Sequence, residues 1–390
     1  MKIVHVVPTY YPAVRYGGPI WSVHALCKAL AQRGHDVQVL TTNVDGAGVL
    51  DIPTGVPVDV DGVKVSYFPS RFARRLYWSP AMKLQLPGLL LEADFVHLHS
   101  IFLAPTSSAA RVAESLGIPW CVSPRGALVP ELISRRSTLA KRIWMLINER
   151  RTLERASFIH ATSTLEAEDA RRIGYRLPSI RVIPNGVEMP GGNELAFGSA
   201  LDRAGSGPYL LFLGRINWKK GLDRLIPAMA HVPGFRLVVA GNDEEKLSPR
   251  LKRLAQQSGV LERIDFVGAV AGEEKQKLLR GSTLLVLPSY SENFGNVLLE
   301  SLAAGRPVAM TAEVGLAPAI KAAGAGEIIS GVPLEMGKQL SVLIADRRNL
   351  DAMGERGYQL VQSKYTWASV ASAMEQAYLE AISARRMALS

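Results

Sequence analysis

The sequence predicts an α/β protein made of two domains of similar size. Short β-rich apolar runs alternate with amphipathic helical segments along the chain, which marks mainly parallel sheets with crossover helices. The alternation restarts after a break from Pro190-Gly191-Gly192 to Gly205-Ser206-Gly207-Pro208, a stretch of turn formers without a firm period. The 390 residues amount to about two to three ordinary domains, and 48% of them are apolar, enough to bury a sizeable core.

Taken in order, the first half offers strands near Ile3–Val7, Val37–Thr41, Val63–Tyr67, Phe95–His99, Trp120–Ser123, Phe158–Ala161 and Arg181–Ile183. A helix lies between the first two. Pro19 suits its first turn, Ile20, Val23, Cys27 and Leu30 recur on one face, and Gly34 ends it. After the break, strands recur near Tyr209–Leu213, Arg236–Ala240, Arg263–Val267, Leu284–Leu287 and Pro307–Met310. At the end, Thr366 caps a helix whose face carries Trp367, Val370, Met374, Tyr378 and Ile382. No strand follows, so so apolar a face must dock on something already folded.

Composition narrows the function classes. No apolar run approaches the ~20 residues that span a bilayer, and Met1–Pro8 reads as a first strand, too short and too soon interrupted for a signal peptide. Cys27 and Cys121 sit in apolar contexts without metal spacing, as free buried thiols in a reducing cytosol would. Net charge is +10, and residues 1–190 hold 22 of the 45 basic but 15 of the 35 acidic side chains, a surplus of seven. Two basic clusters interleave with aromatics: Arg71-Phe72-Ala73-Arg74-Arg75-Leu76-Tyr77-Trp78, and Arg135-Arg136 through Lys141-Arg142-Ile143-Trp144 to Arg150-Arg151. Such clusters suit an anionic lipid surface or nucleic acid, or are an ordinary solvated face.

The segment Ser291–Glu300 carries the strongest chemical signal. It follows the buried run Leu284–Leu287 and opens a helix near Phe294–Asn296, with Glu292 and Glu300 on either side of Gly295. First-turn amides have no intrahelical partner, and the helix dipole favours an anion there. Gly295 lets that anion approach the backbone, and Asn296 and Glu300, one turn apart, can face the same ligand. A phosphate bearing hydroxyl-rich groups, such as a sugar nucleotide, fits. Arg215 and Lys220 lie on the loop Gly214–Gly221 at a strand's carboxyl end, where open α/β sheets bind ligands. Two cations from one loop can neutralise a pyrophosphate without a metal.

Three weaker places point the same way. The first βα loop, Pro8–Pro19, is long and holds Gly17-Gly18, whose amides could touch a phosphate or an acceptor, or serve only as a turn. Arg125 follows a strand end and could meet an anionic group. His97 and His99 share one strand face, and His99 at the carboxyl end can reach a cleft. Asn185-Gly186 reads as a turn or hinge before the break. There is no G-x-G-x-x-G, no Walker A motif, no G-x-S-x-G elbow, no D-x-D tripeptide and no cluster with metal spacing.

On these residues the chain resembles the retaining glycosyltransferases of family 4, which have the GT-B fold. The marks are Glu292-x7-Glu300 with Phe294-Gly295, the Gly214-Arg215 to Lys220-Gly221 loop, Ile183-Pro184-Asn185-Gly186-Val187, the Gly17-Gly18 loop and Gly305-x-Pro307-Val308, in the family's order across most of the chain. The resemblance implies two Rossmann-like doubly wound domains facing a cleft. Residues 1–190 would bind the acceptor and 191–365 the nucleotide sugar, with a last helix, 366–390, crossing back to the first domain. Glu300 would hold the ribose hydroxyls. Glu292 and the amides near Phe294, Gly295 and Asn296 would hold the donor sugar and phosphate. Arg215 and Lys220 would stabilise the departing diphosphate, and His99 would approach the sugar near the reacting carbon. The donor would be a UDP- or GDP-sugar used without a metal. The acceptor would be a saccharide, lipid-linked for envelope or exopolysaccharide synthesis, reached at the cytoplasmic membrane face through the basic clusters. Glu313-Val314-Gly315-Leu316 departs from the family's pattern by replacing its paired glycines. Two other classes remain at this stage. One is a sugar-nucleotide epimerase, or a phosphorylase with lysine-held pyridoxal phosphate. The other is a non-enzymatic basic binding protein.

Overall fold

The computed structural model describes residues 1–13, 18–129, 148–190 and 207–389. The chain divides into two compact units, Met1–Gly186 with Trp367–Ser390, and Val187–Thr366. Each is built on its own sheet.

The first unit contains β1 (Lys2–Thr9), β2 (Asp36–Thr42), the small ribbon β3 (Val44–Asp45) and β4 (Gly48–Val49), β5 (Pro57–Val60), β6 (Val63–Phe68), β7 (Phe95–His99), β8 (Trp120–Ser123), β9 (Phe158–Ala161) and β10 (Ile180–Val182). The main sheet runs β10-β9-β8-β7-β1-β2-β6-β5, parallel throughout except for the β5–β6 edge hairpin. The order reverses direction between β1 and β7. β7, β8 and β9 are buried along their whole length because crossover segments cover both faces of a parallel sheet. Its helices are α1 (Gly18–Gln32), α2 (Pro80–Leu90), α3 (Ala104–Leu116), α4 (Arg150–Glu154) and α5 (Thr164–Arg172). In α1, Ile20, Val23, Cys27 and Leu30 are buried, as their spacing requires. The C-terminal helix Trp367–Leu389 belongs to this unit and sinks Val370, Met374 and Tyr378 into the same core as Val23, Cys27 and Phe95. Both thiols are free and buried, and burial pushes Cys27 up to about 12.

The second unit contains β11 (Tyr209–Leu213), β12 (Arg236–Ala240), β13 (Ile264–Gly268), β14 (Leu284–Leu287), β15 (Val308–Met310) and β16 (Gly326–Ile328), all parallel, in the order β13-β12-β11-β14-β15-β16. This is a doubly wound sheet whose strand order reverses between β11 and β14. Its helices are α6 (Leu222–Ala228), α7 (Ser248–Gln257), α8 (Gly272–Gly281), α9 (Asn296–Ala303), α10 (Ala317–Ala322), α11 (Pro333–Ala345) and α12 (Arg347–Lys364), so the C-terminal helix is α13. Apolar side chains fill both faces. One cluster is built around Phe212, Val239 and Val286, the other around Leu211, Leu285 and Leu298.

Four strands escape a reading by periodicity. β3 and β4 are two residues each, β5 is an edge strand opened by Pro57, and β16 is three residues opened by a glycine. Runs so short hold too few alternations to register as a strand. Among the described residues no helix is long and apolar enough to cross a membrane.

Candidate active site

At the reversal between β11 and β14, two carboxyl-end loops lie side by side. The loop after β11 carries Arg215 and Lys220, and the loop after β14 carries Glu292. Gly221 joins them. A Cβ there would stand 2.0 Å from the Pro288 carbonyl oxygen, so any side chain would push the loops apart. The Tyr290 N–H donates to the Lys219 oxygen at 2.7 Å and completes the junction.

Three ion pairs line this site. Lys220 Nζ donates to Glu292 Oε2, with both side chains largely buried. Arg215 Nη1 reaches both Glu244 oxygens at 3.1 and 3.2 Å. Lys275 Nζ, from α8, donates to Glu300 Oε1 at 3.1 Å. Every charged group that the sequence singles out here is thus held by a counter-charge. A diphosphate arriving at Arg215 and Lys220 would exchange partners with carboxylates, with no need to drag bare cations out of water. Glu292 is also fixed through its backbone. Its N–H donates to Glu313 O at 3.0 Å, and Gly315 N–H donates to Glu292 O at 2.9 Å. The departing segment Glu313–Leu316 is therefore the rail on which Glu292 rides.

α9 opens on Gly295, whose φ of 95° lies in the left-handed region that favours glycine, and which as N-cap makes no side-chain cap hydrogen bond. That leaves the positive end of α9 facing the loop that holds Glu292. Asn296 and Glu300 follow on the first two turns. The Phe294 ring is 3% exposed and belongs to the core around Leu298, so what this residue can offer a ligand is its backbone.

The other expected residues lie in the first unit. Gly18 is exposed at the start of α1, and Gly17 lies outside the described residues. His99 is 1% exposed, and both of its ring nitrogens are engaged. Half-buried Arg125, its φ of 55° in the left-handed region, donates Nη1 to Asn185 Oδ1 at 2.9 Å and Nη2 to His99 Nδ1 at 3.3 Å. A guanidinium only donates, so the other nitrogen of His99 carries the proton and donates to His5 Nδ1 at 2.9 Å. His5 is left with a buried Nε2–H that has no partner.

A second chain runs beside the first. The Ile183 carbonyl can only accept, so His160 Nε2 donates to it at 2.8 Å. Ser123 then donates to His160 Nδ1, His97 donates to Ser123 Oγ, and Tyr378 donates to His97 Nδ1, each at 2.6 Å. All four histidines are neutral in this arrangement. Burial, helped by Arg125, lowers His5 and His160 to about 3 and carries His97 and His99 well below the usual imidazole range. His5, His97 and His99 bring their nitrogens within 4.8 Å of one another, a donor type that zinc accepts. A cation there would have to break these hydrogen bonds beside Arg125 with no carboxylate in the set, so the geometry fits a hydrogen-bond network better than a metal centre.

Sequence reasoning missed Glu244, Lys275, His5, His160 and Tyr378. Glu244 carried a signal, since Gly241-Asn242-Asp243-Glu244-Glu245 follows β12 at its ligand-binding end. His5 surfaces only once the sheet register is known, since it pairs with His97 across β1 and β7.

Two family models match the chain: "Glycosyl transferase 4-like domain" over residues 17–186 and "Glycosyl transferases group 1" over residues 199–360. A D-inositol 3-phosphate glycosyltransferase of Xylanimonas cellulosilytica is 27% identical over 99% of this chain and 97% of its own. Among solved structures, sucrose-phosphate synthase from Thermosynechococcus elongatus shares the fold with a TM-score of 0.77 at 21% identity, covering 98% of this chain and all of its own. Anabaena HepE, solved in complex with UDP and glucose, does so with 0.74 at 16%, covering 97% of this chain and all of its own.

Proposed function

The chain belongs to the group 1, family 4-like glycosyltransferases, retaining enzymes of the GT-B fold that take sugar from a nucleotide sugar, and from that membership we propose how and for what this one acts. The donor is a UDP- or GDP-sugar whose diphosphate sits between Arg215, Lys220 and the amino end of α9. Glu300 takes the ribose hydroxyls, and Glu292 takes the sugar. As the diphosphate enters, Glu244 releases Arg215 and Lys275 releases Glu300.

The bond from the anomeric carbon to the diphosphate oxygen breaks, and the bond to the acceptor oxygen forms on the same face. The acceptor's proton passes to the leaving phosphate oxygen. Arg215 and Lys220 meet the charge that develops on the leaving group, which is the main catalytic lever in such a step, and no metal is required. On this reading His99 would approach the sugar near the reacting carbon, and Gly17 and Gly18 would meet the distal phosphate or the acceptor. The acceptor is a lipid-linked saccharide of envelope or exported polysaccharide synthesis, met at the cytoplasmic membrane face by the basic clusters of residues 1–190.

One observation supports the donor assignment above the others. Arg215, Lys220, Glu292 and the α9 terminus converge where the strand order of a doubly wound sheet reverses, the place where such sheets take ligands. The test is a thermal-shift series of nucleoside diphosphates, followed by turnover of a nucleotide-sugar panel with and without EDTA. A rise in melting temperature with UDP or GDP, and turnover that survives EDTA, are expected. Equal stability with every nucleotide would overturn the assignment.

A further inference from the structure

α2 is apolar on both sides. Met82, Leu86 and Leu90 face inward and are buried. On the opposite face stand Leu84, Pro87, Gly88 and Leu91, at the i, i+3, i+4, i+7 spacing of a single stripe. Leu84 is 82% and Leu91 68% exposed. A helix on the surface of a water-soluble protein normally turns charge outward, and Pro and Gly are poor helix formers where packing does not require them. The loop leading into α2 continues the pattern, with Phe72 78% exposed and Leu76 also exposed.

Charge says what covers this face. Between Asp61 and Glu92 the chain carries no carboxylate and five cations; Lys64 pairs with Asp36 and Arg74 donates to the Ala47 and Gly48 carbonyls, while Arg71, Arg75 and Lys83 stand exposed. The second basic cluster differs: its described arginines Arg150 and Arg151 are paired with Glu154 and Glu114, and the remainder lies outside the described residues. Exposed leucines and a phenylalanine on a stretch, Arg71 to Leu91, whose charges are all cationic match the boundary of a bilayer rich in anionic headgroups, where apolar side chains enter the acyl edge and arginines meet phosphate. A nucleic acid would use the cations and leave the leucines in water.

We propose that the outward face of α2, with the Arg71–Trp78 loop, is a docking surface for an anionic lipid bilayer. This deepens the reading of a lipid-linked acceptor and rests on it for its purpose, while its test needs neither donor nor acceptor. The full chain is floated with vesicles of phosphatidylcholine alone or mixed with phosphatidylglycerol, at low and high salt. Binding only to the mixed vesicles, weakened by salt, is expected. Leu84→Glu/Leu91→Glu should lower the vesicle partition at least tenfold. Arg71→Ser/Arg75→Ser should lower it about fivefold per cation removed. Both variants should keep the wild-type melting temperature and nucleoside diphosphate binding. Wild-type partition in both variants would overturn the proposal, as would equal binding to uncharged vesicles. So would a wild-type dimer that the leucine changes convert to monomer with vesicle binding intact, since the face would then meet a second copy of the chain. Vesicle binding without nucleotide binding would instead leave the docking surface standing and remove the proposed donor chemistry.

Discussion

The two units place polar groups at the same point of their sheets, where the strand order reverses, and use opposite physics there. In the second unit the groups are charged, partly exposed and paired: Lys220 with Glu292, Arg215 with Glu244, Lys275 with Glu300. In the first they are neutral imidazoles, fully enclosed and linked in single file from Tyr378 to the Ile183 carbonyl and from Arg125 to His5. Ion pairs near solvent can trade partners with an incoming anion at small net cost. Buried hydrogen bonds cannot be traded cheaply, because each broken one strands a polar atom. The charged site suits the seizing and release of a diphosphate. The neutral one suits holding a wall in one shape.

The sharpest way to break that contrast is acid. Six of the seven histidines lie in the first unit, and His5 and His160 stay neutral in the folded chain down to about pH 3. An unfolded histidine takes up its proton near 6.5. Between those values the unfolded chain binds more protons, so stability is full above about pH 6.5 and falls as the pH drops towards 3. The slope is about 1.4 kcal/mol per pH unit for each such histidine. Hydrogen exchange across this range should show the amides of β1, β7, β8 and β9 opening before those of β11, β12 and β14. Simultaneous opening would contradict the contrast.

The charged site is tested by rate. Lys220→Ala and Glu292→Ala should each lower kcat by about 10²–10³-fold, the usual cost of losing one group that stabilises developing charge. Arg125→Met acts on the neutral side. It strands His99 Nδ1 and should lower stability by about 1–3 kcal/mol in urea unfolding, and in nitrogen-resolved NMR it should release His99 from its single tautomer. A retained tautomer would remove Arg125 from its assigned place. The smallest effect is expected of Glu244→Gln. Freeing Arg215 from a half-exposed carboxylate should tighten nucleoside diphosphate binding by about two- to fivefold in calorimetry, in line with the modest worth of exposed ion pairs.

Much of this was legible in the chain. Alternation and turn residues located twelve strands, because a strand covered on both faces must read as an apolar run between breakers. The charged site was legible because loops at the carboxyl ends of strands advertise themselves by glycine and charge, as Gly214–Gly221 and Ser291–Glu300 do. Phe294 enters the motif for its amide, and its side chain fills the core and leaves the backbone to face a ligand. The histidine network was opaque for another reason. His5 and His97 are far apart in sequence and become neighbours only through the β1–β7 register, which no local pattern carries. Lys275 was hidden in an ordinary charged helix, since nothing in Glu273–Lys277 says which charge faces the site.

A crystal of the full chain soaked with UDP or GDP tests the central claim most directly. The account predicts the terminal phosphate within hydrogen-bond reach of Arg215 and Lys220 and at the amino end of α9, with the ribose on Glu300 and Glu244 turned away from Arg215. A nucleotide bound elsewhere, with the Lys220–Glu292 and Arg215–Glu244 pairs intact, would contradict it.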